Sequence, residues 1–209
     1  MEDRMQIIES KRNSRVSIGI IPGHYATNHS HVNYYVDMTS IKTSMKMAKA
    51  AAEELGREFS NTFVDTVICL EGTEILGAFL AETLSQNGIN VGKDINVITP
   101  EMNAVSQMIF RDNTQKMIWS KRVLLLISSA STGKSINRAI ECLQYYSGEL
   151  VAIGAIFSAI DEVQGIEVKS LFTDKDLPTY DNFAPNDCPL CKNGKKVDAL
   201  INSFGYSKL

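Results

Sequence analysis

The sequence predicts an α/β domain in which helices cover both faces of a parallel β-sheet. Short, wholly apolar runs alternate along the 209-residue chain with segments whose apolar residues recur at helical spacing. Continuous apolar runs are typical of strands buried on both faces, and their alternation with helices favours right-handed parallel connections. We expect ligands of such a sheet to bind beyond the carboxyl ends of its strands.

The first part of the chain predicts two strands and a helix. Apolar runs at residues 16–21 and 32–38 lie on either side of a polar, histidine-rich turn. Residues 41–59 are rich in Ala, Lys, Glu and Met, with hydroxyl residues at the start that are suitable helix caps. This segment is therefore predicted to be one helix.

The next part predicts a strand, a loop, a helix and another strand. Residues 64–70 form the first strongly apolar run, and residues 71–74 follow it as a loop. Apolar residues repeat at helical spacing over residues 75–84, and Asn-Gly at positions 87–88 ends that helix. A further strand is predicted at residues 95–98.

Residues 101–121 differ from their surroundings. Polar and amide residues dominate there, with Met, Phe and Trp among them and no clear period. A stretch of this length inside a compact domain is usually a functional lid or a mobile loop. We therefore predict a loop beside the ligand site.

The last part completes the predicted sheet. Strands are expected at residues 123–127 and 150–157, with a helix after Gly133 between them. Residues 166–172 are predicted to form an edge element. The tail from Pro178 carries prolines, amides and two cysteines, and we expect it to join the N-terminal strands in a small hood.

Composition and charge exclude several classes of protein. The hydrophobic fraction of 44% is ordinary for a globular protein. Because the formal net charge is −3, the chain has no basic footprint for nucleic acid. The apolar runs are far shorter than a membrane span, and the first residues resemble neither a signal peptide nor a transit peptide. We expect a cytoplasmic protein with no nucleic-acid or membrane partner.

The segment 123–135 is the most informative part of the sequence. An apolar strand runs into small hydroxyl residues and Gly133, and a helix follows. Such a corner presents free backbone N–H groups at the positive end of a helix dipole, which is a geometry that binds phosphate. The Walker A loop of nucleoside triphosphatases is one candidate, because Gly133-Lys134-Ser135 matches the end of that motif. However, Ser128 replaces its opening glycine. An ordinary strand–turn–helix corner is another.

The turn Ser131-Thr132-Gly133-Lys134-Ser135 also resembles the 5′-phosphate loop of the type I phosphoribosyltransferases, among which the chain looks most like the orotate enzymes. In that family an acidic pair precedes the turn and holds the ribose of phosphoribosyl pyrophosphate (PRPP). Here those positions are Ile127 and Ser128, so the motif is degenerate. The resemblance implies that the phosphate-binding residues are Ser128, Ser129, Ala130, Ser131, Thr132, Gly133, Lys134 and Ser135.

Other segments extend the resemblance over roughly residues 30–195. Glu71-Gly72-Thr73 stands where the family has its pyrophosphate loop, and Tyr34-Tyr35 resembles the aromatic pair beside the base. Arg111 and Lys116 lie in the position of the family's catalytic loop, although they are more widely spaced and no His accompanies them. The resemblance further implies Mg²⁺ bound with PRPP and a homodimer that completes each cleft.

Each of these residues also has a purely structural interpretation. Glu71 would either replace the missing acidic pair from the neighbouring strand end or cap the next helix. Arg111 and Lys116 would otherwise be solvated, and Tyr34 and Tyr35 would otherwise pack in a core. Lys134 would either add a cation beside the phosphate or point to solvent.

A metal site is one interpretation of the cysteines in the tail. Cys188 and Cys191 form a single Cys-x-x-Cys pair, which is half of a structural zinc site. His24, His29 and His31 could complete it only if the fold brings the two ends of the chain together. A redox pair and reduced thiols in an ordinary tail are the alternatives.

The sequence thus predicts a type I phosphoribosyltransferase-like core at residues 41–175, with a small hood from N-terminal strands at 1–40 and a tail at 176–209. The function implied by the resemblance is transfer of the phosphoribosyl group of PRPP to a pyrimidine-type base, orotate first. The alternative is a protein of the same fold that binds PRPP or a nucleotide without turnover.

Overall fold

The computed structural model describes residues 1–103 and 107–209. In chain order the strands are β1 (Gln6–Glu9), β2 (Ser17–Ala26), β3 (His31–Asp37), β4 (Thr66–Cys69), β5 (Asn96–Ile98), β6 (Glu101–Met102), β7 (Met108–Ile109), β8 (Arg122–Ala130), β9 (Glu149–Ser158), β10 (Glu162–Val163), β11 (Ile166–Thr173), β12 (Asn182–Phe183), β13 (Ala199–Asn202) and β14 (Gly205–Lys208). The α-helices are α1 (Thr39–Thr43), α2 (Met45–Glu58), α3 (Glu74–Gln86), α4 (Asp112–Gln115), α5 (Lys134–Tyr145) and α6 (Pro189–Lys192).

The central sheet has the order β10-β11-β9-β8-β4-β5. All neighbours are parallel except β10, which pairs antiparallel with β11. The chain first moves outward from β4 to β5 and then returns to place β8 on the other side of β4. This reversal makes the carboxyl ends of β4 and β8 the topological switch point, where doubly wound sheets bind ligands. The predicted α/β fold with a parallel sheet is confirmed.

Alternate residues of β8 serve two separate cores, which explains its continuous apolar run. Leu124 and Leu126 pack on one face with residues from α2 and α3, whereas Leu125 and Ile127 pack on the other face with residues from α5. Side chains of a strand point alternately to the two faces of its sheet. Both faces are covered, so both sets of side chains must be apolar.

A second sheet joins the two ends of the chain. Its order is β12-β3-β2-β13-β14, and β1 also pairs with β2. Within it β2 and β3 form an antiparallel hairpin, and β13 lies parallel to the end of β2 at Tyr25 and Ala26. Tail residues therefore share one hydrogen-bonded sheet with the N-terminal strands. This sheet forms one wall above the switch point.

Several sequence-based element predictions are corrected by the structure. The single helix predicted at 41–59 is two helices, because Ser44 leaves the helical conformation and caps α2 by accepting a hydrogen bond from the Met47 N–H. The loop predicted at 101–121 contains the hairpin β6–β7 and helix α4, and its residues 104–106 lie outside the described residues. The edge predicted at 166–172 is covered by β10, and the tail holds three strands.

The helices in the described ranges were also compared with the length and hydropathy that a bilayer requires. None of them combines enough residues with enough apolar character to cross a membrane.

Candidate functional site

The main cleft of the molecule lies at the switch point and has a volume of about 680 Å³. Its floor is formed by the segments that follow β4 and β8, and its walls come from β3, the β6–β7 hairpin and the tail. The cleft thus collects segments from both sheets. Its size suits a ligand as large as a nucleotide.

The turn at the end of β8 depends on the glycine at position 133. Gly133 has φ +71°, a left-handed value that favours glycine, and it is the N-cap residue of α5. A Cβ atom there would lie 3.2 Å from Cγ2 of Val163. Gly133 is therefore required both by the turn and by the close packing of the loop behind it.

The main-chain N–H groups of residues 131–135 are available to a ligand. Within the described ranges, none of them donates a hydrogen bond to a protein acceptor, whereas the Ala130 carbonyl accepts from the Ala159 N–H and belongs to the sheet. All five residues line the cleft. Free N–H groups at the start of a helix are a suitable cradle for an anion. Of the predicted phosphate residues, Ser129 and Ala130 also line the cleft, and Ser128 lies buried below it.

Ser128 contacts the other strand of the switch point. Its hydroxyl donates a hydrogen bond of 2.7 Å to Oε2 of Glu71. Glu71 has φ +60°, and the N-cap of the next helix is Thr73, so Glu71 does not occupy the capping position. A carboxylate from the end of β4 therefore lies directly beside the position where the family has its acidic pair.

Opposing effects act on the pKa of Glu71, and burial, the largest of them, leaves it raised. Burial raises the pKa of Glu71, while hydrogen bonds from Ser128, from the Ser129 N–H and from Ser135, together with the Lys42 ammonium, lower it. The Lys42 Nζ donates to the Glu71 carbonyl at 3.3 Å and also to the Ser203 carbonyl. Burial in turn lowers the pKa of Lys42. This cation ties helix α1, the β4 loop and the tail together at the floor of the cleft.

The predicted aromatic pair is divided between two environments. Tyr35 is buried against Tyr25 and Tyr206, and burial raises the pKa of Tyr35 to about 12. Tyr34 is half-buried on the other side of β3, and both tyrosines line the cleft. Tyr180 packs edge-to-face on Phe157 at 5.2 Å between ring centroids and lines the same cleft. Aromatic side chains thus line the same cleft as the turn after β8.

Arg111 and Lys116 are not brought to this cleft. The Arg111 guanidinium makes a two-pronged ion pair with Glu101, with Nη2 2.6 Å from Oε2, and both side chains are exposed. Lys116 is exposed at the end of α4. Neither residue lines the cleft of its own chain.

The structure does bring the two ends of the chain together at the cysteine pair. The donor atoms of His24, His31, Cys188 and Cys191 all lie within 4.8 Å of one another. His29, the third histidine of the predicted set, is instead in the turn that lines the cleft. Both cysteines are free thiols.

Sequence reasoning missed several residues of the cleft. Lys42 is one basic residue in a helical segment with several others, and Tyr180 lies in a tail rich in prolines and amides. Residues 201–204 of the tail also line the cleft. No sequence signal identifies these residues. Their positions depend on contacts of α1 with the loop after β4 and on pairing of the tail strands with the N-terminal strands.

The fold is shared with solved phosphoribosyltransferases. Orotate phosphoribosyltransferase of Mycobacterium tuberculosis, in complex with inorganic phosphate, superposes with a TM-score of 0.53 and 16% identity over 69% of this chain and 80% of that one. Adenine phosphoribosyltransferase of Thermoanaerobacter pseudethanolicus gives 0.53 and 13% identity over 82% and 96%. The chain has the fold of the type I phosphoribosyltransferases, a class whose members act on different bases.

Sequence similarity points to one kind of enzyme within this class. Orotate phosphoribosyltransferase of Chlorobium phaeobacteroides is 25% identical over 185 residues, which are 86% of this chain and 88% of that protein. No protein-family model matches the sequence. By fold the chain is similar to the type I phosphoribosyltransferases, and by sequence it is similar to orotate phosphoribosyltransferases.

Proposed function

We propose that this protein binds PRPP and transfers its phosphoribosyl group to a pyrimidine-type base, with orotate as the first candidate. The observation that carries the proposal is the row of uncommitted N–H groups at residues 131–135, which opens into a cleft of about 680 Å³ at the switch point. The names of the sequence relatives support the same assignment.

The 5′-phosphate would occupy the turn after β8. Main-chain donors at residues 131–135 would neutralise it together with the start of α5, and the exposed Lys134 would add a cation. The ribose would then lie over Glu71, whose carboxylate is buried beside Ser128. Carboxylate oxygens accept hydrogen bonds from sugar hydroxyls, which is the task of the acidic pair that Ile127 and Ser128 replace.

The pyrophosphate would face the loop Glu71-Gly72-Thr73. Mg²⁺ would be held mainly by the substrate phosphates, as is usual for this ion, and the carboxylates of Glu71 and Glu74 are the oxygen donors on the cleft lining that fit it. When bound, the ion supplies charge neutralisation of the leaving group. The residues of this chain bind and orient PRPP around it.

The base would stack against the aromatic wall. Tyr34 and Tyr180 line the same cleft as the turn after β8, so one nucleotide would contact the tyrosines through its base and the turn through its phosphate. The fold itself does not select the base, because the solved relatives include enzymes named for orotate and for adenine. Orotate is proposed on sequence similarity.

Two observations favour a second candidate function, a PRPP or nucleotide sensor without turnover. The acidic pair is absent, and Arg111 and Lys116 lie outside the cleft of their own chain. Transfer would need these cations to reach the cleft of a partner subunit, as the family resemblance implies. The oligomeric state is thus part of the proposal, and a homodimer is expected.

The deciding experiment combines binding with product formation. PRPP is titrated calorimetrically with and without Mg²⁺, and pyrophosphate release is measured with orotate, uracil, adenine and guanine in turn. We expect Mg²⁺-dependent release with orotate and formation of orotidine 5′-monophosphate. Release with adenine or guanine only would overturn the choice of base. Tight PRPP binding with no release for any base would support the sensor, and no binding would reject both functions.

A further inference from the structure

Four potential metal ligands form a second, separate cluster. His24 and His31 come from the β2–β3 hairpin, and Cys188 and Cys191 come from the tail, more than 150 residues later. None of the four lines the main cleft. The cluster is therefore distinct from the proposed PRPP site.

Four of the distances between donor atoms lie close to those around a tetrahedral ion. His24 Nε2 lies 3.0 Å from His31 Nδ1, 3.6 Å from Cys188 Sγ and 3.7 Å from Cys191 Sγ, and His31 Nδ1 lies 3.3 Å from Cys191 Sγ. Zinc bonds of about 2.0–2.3 Å in a tetrahedron place neighbouring ligand atoms roughly 3.3–3.8 Å apart. The donors thus already stand close to the required arrangement.

The surroundings of His24 fix which of its nitrogens faces the cluster. Its Nδ1 lies 2.8 Å from the Lys195 carbonyl, which can only accept, so Nδ1 carries the proton and Nε2 presents a lone pair. A hydrogen bond from the second ring nitrogen to a carbonyl is the usual support of a zinc-bound histidine. The main chain of His24 is also fixed, because its N–H donates to Asp198 and its carbonyl accepts from the Asp198 N–H.

Local features of the backbone set the positions of His24 and of the two cysteines. The β2–β3 pairing shifts register between Pro22 and Tyr25, and His24 lies inside this bulge with its side chain fully buried. Bulges redirect side chains at functional places. The two cysteines lie on either side of the first turn of α6, where a spacing of three brings them to one face. Cys188 is buried and Cys191 is exposed.

We propose that His24, His31, Cys188 and Cys191 bind one zinc ion that fastens the tail to the β2–β3 hairpin. Two thiolates and two imidazoles in a tetrahedron suit zinc, and four protein ligands leave no open position, so the site is structural. The ion would also stabilise two parts of the cleft wall, because the turn at residues 27–30 and the tail residues 201–204 line the cleft and belong to the two segments that the ion joins. This proposal does not depend on the base or on turnover.

The test is metal content and cobalt spectroscopy on the full-length protein. We expect about one zinc per chain after growth in zinc-supplemented medium, by the ligand count of a closed site. Replacement by Co²⁺ should give thiolate-to-metal charge-transfer bands and the intense visible bands of tetrahedral cobalt. Chelation should lower the melting temperature, because metal binding is coupled to folding.

Matched variants locate the ligands. Cys191→Ser and His31→Gln should each lower zinc content several-fold and shift the cobalt spectrum. Cys142→Ser and His29→Gln change the same residue types outside the cluster and should retain the metal. If a ligand variant does not fold, the cobalt spectrum of the wild-type protein still decides. Wild-type protein without zinc after metal reconstitution, a cobalt spectrum lacking thiolate bands, or a Cys188–Cys191 disulfide in the freshly purified protein would overturn the proposal.

Discussion

The Ser128 hydroxyl donates a 2.7 Å hydrogen bond to the Glu71 carboxylate and thereby joins the ends of two adjacent parallel strands at the floor of the cleft. Ser128 stands where the family resemblance expects an acid, and Glu71 comes from the neighbouring strand. A carboxyl group is therefore present at the switch point, although it comes from a different strand. This arrangement makes Glu71 the most informative residue to change.

Glu71→Gln should weaken PRPP binding and stabilise the folded protein. Loss of the charged acceptor should reduce PRPP affinity by about ten- to one-hundred-fold, since hydrogen bonds to charged groups contribute about 1.5–3 kcal/mol. Burial raises the pKa of Glu71, so its contribution to stability is greatest below the ordinary pKa of a glutamate and is lost as the pH rises through the raised value. The variant should therefore melt at a higher temperature than the wild type at pH 7.5, and the difference should vanish in acid.

Calorimetry and thermal melts across pH check both parts of the Glu71 prediction. Glu82→Gln is the control, because Glu82 is an exposed carboxylate of α3 that pairs with Lys49 away from the cleft. Unchanged PRPP affinity in Glu71→Gln would remove Glu71 from the proposed ribose site.

Gly133→Ala should impair the phosphate loop. The left-handed backbone costs an alanine about 1 kcal/mol, and its Cβ would also press on Val163 at 3.2 Å. Gly92→Ala is a close control, because Gly92 has φ +78° but nothing within 4 Å of the added atom. Both variants should lose stability in urea unfolding, and only Gly133→Ala should lose PRPP affinity. Equal affinity in the two variants would contradict a phosphate site at this turn.

Asp65→Asn should destabilise the sheet without affecting the cleft. Asp65 accepts hydrogen bonds from the side chain and the N–H of Arg122 at the amino-terminal ends of β4 and β8, away from the cleft. The Arg122 side-chain hydrogen bond is the main cause that lowers the pKa of Asp65 to about 2. The expected loss is about 1–2 kcal/mol at pH 7, after allowance for partial exposure. Because the pKa is depressed, this stability is present above about pH 4 and is lost as the pH falls through about 2.

Urea unfolding at a series of pH values checks the Asp65 prediction. Asp94→Asn, a change at an exposed aspartate just before β5, should leave the free energy of unfolding nearly unchanged. A difference between Asp65→Asn and wild type that persists at pH 2 would show that the ion pair is not its cause.

Arg111 should act in the cleft of a partner subunit. Arg111→Gln and Glu71→Gln are each expected to release little pyrophosphate alone. In each mixed dimer one of the two clefts would combine the intact Glu71 of one chain with the intact Arg111 of the other. Random exchange makes about half of the dimers mixed, so the activity of the mixture should recover to about a quarter of the wild-type value. The measurement is pyrophosphate release after subunit exchange. No recovery in verified mixed dimers would place Arg111 in its own chain's cleft or outside catalysis.

The sequence reveals the parallel core because its signals are local. A buried strand such as β8 must be apolar at every position, and Gly133 marks a turn that other residues adopt with strain. Both are visible in a short window of sequence. The phosphate loop and its position at a strand end follow from the same window.

The pairing of distant segments is decided only in the tertiary structure. Glu71 and Ser128 are 57 positions apart, and His24 and Cys188 are near opposite ends of the chain, so the sequence offers each pairing only as one of several alternatives. Strand order and register decide between them. Likewise, the tail becomes a cleft wall only when β13 joins β2. The sequence alone thus determined the parallel sheet and its phosphate-type turn, since local periodicity and backbone preference encode them. The charge beside that turn and the four-ligand cluster were decided by long-range packing, which no local pattern records.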